Sequence, residues 1–132
     1  MSAYRRLEKL GLILPPPLAP GGNYVPAEKA GDLVFLAGQG AARGHARLVA
    51  LQVLSTVHHA IGDLDRVELV KVFGMVNAVP DFAEHPAVIN GFSDLIIEVL
   101  GESGRHARSA IGMGSLPNGM TVEIETIFHI LS

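Results

Sequence analysis

Residues 106–131 read HARSAIGMGSLPNGMTVEIETIFHIL, and their reading decides the fold. The second half alternates. Val122, Ile124, Thr126, Phe128 and Ile130 face one way along an extended chain, and Glu123, Glu125, Ile127 and His129 face the other. Leu116-Pro117-Asn118-Gly119 carries turn chemistry, because Pro fixes its own φ and Asn and Gly tolerate left-handed backbone. The stretch therefore predicts a hairpin, with one strand over His106–Gly114 and the other over Met120–Leu131.

Upstream, Ala46 to Ile61 is the clearest helix. Ala46, Val49, Ala50, Val53, Leu54, Val57 and Ile61 recur at spacings of three and four. Leu48 and Leu51 widen the apolar surface beyond one stripe, which predicts burial on a second side. Gly62-Asp63 ends it. Val67 to Val79 is rich in β-branched residues and predicts a strand, with Gly74 marking a bulge or a close approach. Pro86 suits the first turn of a second helix whose stripe is Val88, Phe92, Leu95, Ile96 and Val99, with Gly101 as its cap. Earlier still, Tyr24–Ala27 and Leu33–Ala37 read as strands around a turn at Lys29–Asp32, and Gly38-Gln39-Gly40 ends the second. Tyr4–Leu10 reads as a short helix with Leu7 and Leu10 on one face. Leu14-Pro15-Pro16-Pro17 cannot continue it, and the stretch to Gly22 is an ordered arm or a loose tail.

The order is β-β-α-β-α-β-β, which predicts an α+β two-layer sandwich: a mostly antiparallel sheet with two helices on one face. No repeat or linker divides the 132 residues, so one domain is expected, with residues 1–22 as an N-terminal arm. The second sheet face is either solvated or packed against copies of the chain. Hydrophobic residues at 48% and charged residues at only 17% favour self-association and exclude intrinsic disorder.

Net charge −3 opposes bulk binding to nucleic acid or to an anionic membrane. The chain has no Cys, which excludes disulfides, thiol nucleophiles and cysteine metal sites. Met1–Leu10 lacks a signal-peptide apolar run, and no apolar run approaches the ~20 residues that span a bilayer, so a soluble cytoplasmic protein is expected.

Arg108 and Glu123 are the first candidates for chemistry. A loop centred near Ser115 and Leu116 makes them face each other across the sheet, and a register centred two residues later separates them. A guanidinium holds a carboxylate by two hydrogen bonds, and a Glu beside it can place a water; the plainer alternative is a solvated ion pair. Gly38-Gln39-Gly40 is a partial dinucleotide fingerprint, but Arg43 stands at the third glycine position and the chain is too short for two nucleotide-binding halves. The plainer reading is a strand end where the backbone passes close to something. His45, His58, His59, His85, His106 and His129 form no metal-binding spacing, so no metal site is expected. Asn90, near the start of the second helix, is a packing or capping residue or a site residue.

Taken together, the chain resembles the RidA (YjgF) family. The matching stretches are Gly22-Asn23-Tyr24-Val25-Pro26, Leu33–Gln39, Gly62–Val67, Ala107–Gly112 and Leu116–Glu125. The arm and the run Gly101–Arg108 look most like a subgroup of slightly longer members. The resemblance implies a chorismate-mutase-like fold and a homotrimer with active sites in clefts between subunits. It also implies hydrolysis of reactive enamines and imines, such as 2-aminoacrylate and 2-iminobutanoate, to 2-keto acids and ammonia, with no cofactor or metal. The ligand is then a small 2-imino or 2-keto acid. The family's arginine matches Arg108 and its water-associated glutamate matches Glu123; Tyr24, Gly38 and Asn90 match positions lining its cleft. Two departures stand out. The strand that family members usually carry between the Gly38-Gln39 motif and the first long helix is missing, and the cysteine two residues after the arginine is Ala110 here. The alternatives are a non-catalytic, carboxylate-binding regulatory trimer and the ribonuclease or translation-inhibitor role attached to the family. Net charge −3 and the lack of a basic run oppose the latter.

Overall fold

The computed structural model describes residues 1–41 and 46–132. Its elements are α1 (Ala3–Lys9), β1 (Ala27–Ala30), β2 (Leu33–Ala41), α2 (Ala46–Ile61), β3 (Val67–Asn77), α3 (His85–Leu100), β4 (Ala107–Met113) and β5 (Val122–Ile130). The five strands form one sheet in the order β1-β2-β5-β3-β4. Helices α2 and α3 pack on each other and on one sheet face, which gives the expected two-layer α+β architecture. Helix α2 has the bounds its periodicity predicts, and α3 carries Pro in its first turn and ends at Gly101, whose φ of 67° suits a residue without a Cβ.

The last segment is not a hairpin. Strand β4 runs parallel to β3, and β5 is inserted between β2 and β3, antiparallel to both. A strand reached through a crossover helix returns parallel to its predecessor, and β3-α3-β4 is such a unit. Residues 114–121 then pass across the end of β3, where the amides of Asn77 and Ala78 donate to the carbonyls of Thr121 and Met113. The turn at Pro117–Gly119 is real, with Asn118 left-handed at φ 56°, but it bends this crossing rather than joining neighbours.

Other bounds differ locally. Tyr24 precedes β1, which begins at Ala27 and runs to Ala30, and β3 stops at Asn77 rather than Val79. The Gly38-Gln39-Gly40 run does not end β2 but lies inside it. Leu36 pairs with Thr126 and Gln39 with Ile124, so Ala37 and Gly38 stand opposite the single Glu125 in a β-bulge. In β3 the irregularity falls between Leu69 and Lys71, while Gly74 is the site of close approach, against Ile89 of α3.

The core lies between sheet and helices. Phe128, Ile124, Val34, Val72, Phe92, Ile96, Val53 and Leu54 are fully buried there. The side of β5 predicted to be apolar faces the helices. The opposite, open face of the sheet holds Glu123, Glu125, Ile127 and His129, with Phe35 and Phe73 as cross-strand neighbours. The arm is ordered. In α1, Leu7 is buried but Leu10, the C-cap residue, is exposed. The Ala3 amide donates to Asp65 at 2.7 Å, the Leu64 amide donates to the Tyr4 hydroxyl at 2.9 Å, and Ser55 donates to the carbonyl of Pro15. Thus the arm crosses α2 and supplies part of its second covered side, although Leu48 stays exposed.

His129 bridges three segments at one end of the open face. Its Nδ1 lies 2.9 Å from Glu68 on β3, and its Nε2 lies 2.9 Å from Asp32 before β2. The hydrogen bond to Glu68, then that to Asp32, raises its pKa above the ordinary histidine value. A raised folded-state pKa stabilises the fold fully below the unfolded value of about 6.5, and the stabilisation disappears as pH rises through the folded value. Urea midpoints measured from pH 6 upward should therefore fall for the parent chain, and His129→Gln should flatten that part of the profile.

Candidate functional site

A groove of about 640 Å³ opens between the arm, the bulge of β2 and the start of β5. Its lining includes Leu18 and Pro20 of the arm, Tyr24, Gly38, Met120 and Glu123. The bulge turns Gly38 towards Glu123: a Cβ on Gly38 would lie 3.0 Å from Oε2 and 3.1 Å from Cδ of that carboxylate. A side chain at position 38 would thus press on Glu123, which would have to yield by a few tenths of an ångström, and the neighbour of the close approach is identified. The Tyr24 hydroxyl accepts a hydrogen bond from the Gly21 amide at 3.1 Å, which leaves its own O–H free to donate. Tyr24, Gly38 and Glu123 are therefore brought together.

Arg108 and Asn90 form a second cluster. Arg108 pairs with Val72, which is buried under the helices, so its side chain rises on the helix face against α3. There Nη2 donates to Asn90 Oδ1 at 2.7 Å and to the carbonyl of Pro86 at 3.2 Å, and Nη1 donates to Ser93 Oγ at 3.0 Å. Of a guanidinium's five N–H groups these contacts with the described residues engage three. Asn90 is not a cap; Glu84 holds that position.

Arg108 and Glu123 do not face each other. Strand β3 lies between their strands, with Val72 beside Arg108 and Met75 beside Glu123. Positions 72 and 75 differ by an odd number, so the two side chains occupy opposite faces of the sheet. The facing arrangement required adjacent strands, and the insertion of β5 removes that.

Ser93 was not singled out in the sequence, and His106 only as one of six histidines without a metal-binding spacing. His106 Nε2 lies 2.8 Å from Ser93 Oγ, and its Nδ1 lies 2.6 Å from the Gly104 carbonyl. Burial lowers the pKa of His106, the bond to Gly104 opposes this, and the Arg108 charge adds to the lowering. A signal was available: Pro86, Asn90 and Ser93 follow each other at helical spacing, and His106 precedes Arg108 by two. Arg43 and His45 lie outside the described residues. Among the described residues no three His, Asp or Glu side chains form a metal-binding group. No helix among them is long and apolar enough to cross a membrane.

Architecture and polar clusters define the class: a small α+β domain with a five-stranded sheet under two long helices, of the RidA type. The family profile described as Endoribonuclease L-PSP matches residues 16–130, and the chain belongs to this family, which includes RidA. It is 40% identical to Protein TCP17 of Trypanosoma cruzi over 146 residues, covering 94% of this chain and 91% of the relative. That alignment is longer than the 132 residues here, so the relative carries residues that this chain lacks. Among solved structures, Atu1372 of Agrobacterium tumefaciens, described as of unknown function, is 39% identical with a TM-score of 0.86, covering 97% of this chain and 92% of that one. RidA of the Antarctic bacterium Psychrobacter sp. is 29% identical with a TM-score of 0.65, covering 87% of this chain and 93% of that one.

Proposed function

We propose that this protein hydrolyses reactive enamine and imine intermediates of the 2-aminoacrylate and 2-iminobutanoate type to 2-keto acids and ammonia. Family membership supports a role in processing small molecules, and the resemblance to RidA supports this reaction. The observation that carries the reading is the guanidinium of Arg108, held by Asn90, Ser93 and Pro86.

The site is shared between copies. Arg108 and Asn90 lie on the helix face of one protomer, whereas Glu123, Gly38 and Tyr24 lie on the other side of the sheet. One ligand meets both clusters when a second chain brings its groove to the first chain's arginine. A homotrimer supplies that arrangement and covers the open face, where Phe35 is 42% and Ile111 39% exposed.

Arg108 holds the substrate carboxylate and fixes its orientation. An enamine first takes a proton on carbon and becomes the iminium, R–C(=NH2+)–COO−, which is electrophilic without a cofactor or a covalent nucleophile. Glu123 accepts a hydrogen bond from a water and directs its oxygen at the iminium carbon. The C–O bond forms as the C=N π pair moves to nitrogen, and the water proton passes through Glu123 to that nitrogen. Collapse of the carbinolamine breaks the C–N bond and releases ammonia, which leaves as ammonium, and the 2-keto acid. Gly38, lacking a Cβ, leaves room beside Glu123 for the ligand. The test is keto-acid release from freshly generated 2-iminopropanoate by the parent chain and by Arg108→Ala; equal rates would remove the assignment. Carboxylate binding without turnover would instead favour a regulatory binding protein.

A further inference from the structure

We propose that Ser93 and His106 are positioning residues that fix the Arg108 guanidinium for carboxylate binding, a role resting on the reading of Arg108 given above. The hydrogen bonds have a single direction. The Gly104 carbonyl can only accept, so His106 carries its proton on Nδ1, 2.6 Å away. Burial and the Arg108 charge keep a second proton off the ring, so Nε2 is an acceptor. Only the Ser93 hydroxyl can then donate to it, across 2.8 Å. With its hydrogen committed, Ser93 Oγ presents lone pairs to Arg108 Nη1 at 3.0 Å. The sequence of donors is Arg108 to Ser93 to His106 to the Gly104 carbonyl.

The far end of this chain is rigid. Gly104 is packed so closely on α3 that a Cβ would lie 2.7 Å from the Ile96 carbonyl oxygen. Phe92 meets the His106 ring edge-to-face, with centroids 6.5 Å apart. Ser93 itself is only 7% exposed, so solvent has little access to replace these partners. Arginine is a long side chain with several rotatable bonds, and an acceptor whose own hydrogen is locked elsewhere holds it in one orientation before the ligand arrives. His106 touches no ligand in this account and acts through Ser93.

The experiment measures calorimetric binding of 2-oxobutanoate and of its uncharged analogue 2-oxobutanamide to the assembled protein. Ser93→Ala and His106→Leu should weaken 2-oxobutanoate about tenfold and leave 2-oxobutanamide unchanged, and His106→Gln, which restores an acceptor for Ser93, should recover most of the affinity. Loss of both ligands in parallel, or no loss of either, in a protein where Arg108→Ala still abolishes 2-oxobutanoate binding, would overturn the proposal and leave the function standing. No effect of Arg108→Ala would overturn both. Nitrogen NMR of the His106 ring in the parent chain needs no variant. A neutral ring protonated on Nδ1 is expected, and a ring protonated on Nε2 would overturn the brace.

Discussion

Arg108→Ala should lower kcat/KM for keto-acid release from 2-iminopropanoate by about a hundredfold to a thousandfold, because it deletes the only group proposed to hold the carboxylate. The loss should not come from unfolding. Arg108 is partly exposed on edge strand β4, the Asn90 and Pro86 groups it leaves are within reach of water, and the third, Ser93, keeps its hydrogen bond to His106. Thermal stability should therefore change little. Glu123→Gln should separate binding from turnover. The amide keeps the shape beside Gly38, so affinity for 2-oxobutanoate should persist, while kcat falls by about a hundredfold through loss of the proton acceptor. Steady-state kinetics and calorimetry on the same preparations distinguish these patterns, and a variant pair that lost both properties together would count against the division of roles.

Phe128→Ala should be the most damaging single core truncation. Phe128 is fully buried in β5, the middle strand of five, and its cross-strand partners Val34 and Leu69 are buried as well. Removing the ring leaves a cavity that flanking strands, fixed by their hydrogen-bond ladders, cannot close, at a cost of about 3–5 kcal/mol. For a domain of this size that lowers the melting temperature by roughly 10–20 °C. Urea denaturation should show a lower midpoint with little change in slope, since the surface exposed on unfolding is nearly the same. A shift of only a degree or two would mean that the β5 face is assigned to the wrong side.

Much of the local structure was legible. Seven apolar positions at helical spacing placed α2, and β5 alternates so regularly that its helix-facing side could be read directly. The polar residues were less legible, because their partners lie on other elements. Gly38 read correctly as a place of close approach, but nothing near it in the chain names Glu123 as the neighbour. Pro86, Asn90 and Ser93 share a helix face, and His106 and Arg108 a strand face; no periodicity says that these two faces meet. The hairpin failed for a related reason. Turn chemistry at Pro117-Asn118-Gly119 reports a reversal of the chain, and it is the same whether the strands on either side are neighbours or have a third between them.

The amino-acid sequence by itself determined the elements, the apolar side of each long one, and the family to which the chain belongs, because helix and strand periods and turn residues act over a few positions. Tertiary structure alone decided the strand order. Pairing β4 with β3 follows from the crossover through α3, and inserting β5 buries its apolar side beneath both helices; these are contacts between residues distant in the chain. That order puts Arg108 and Glu123 on opposite faces of one sheet.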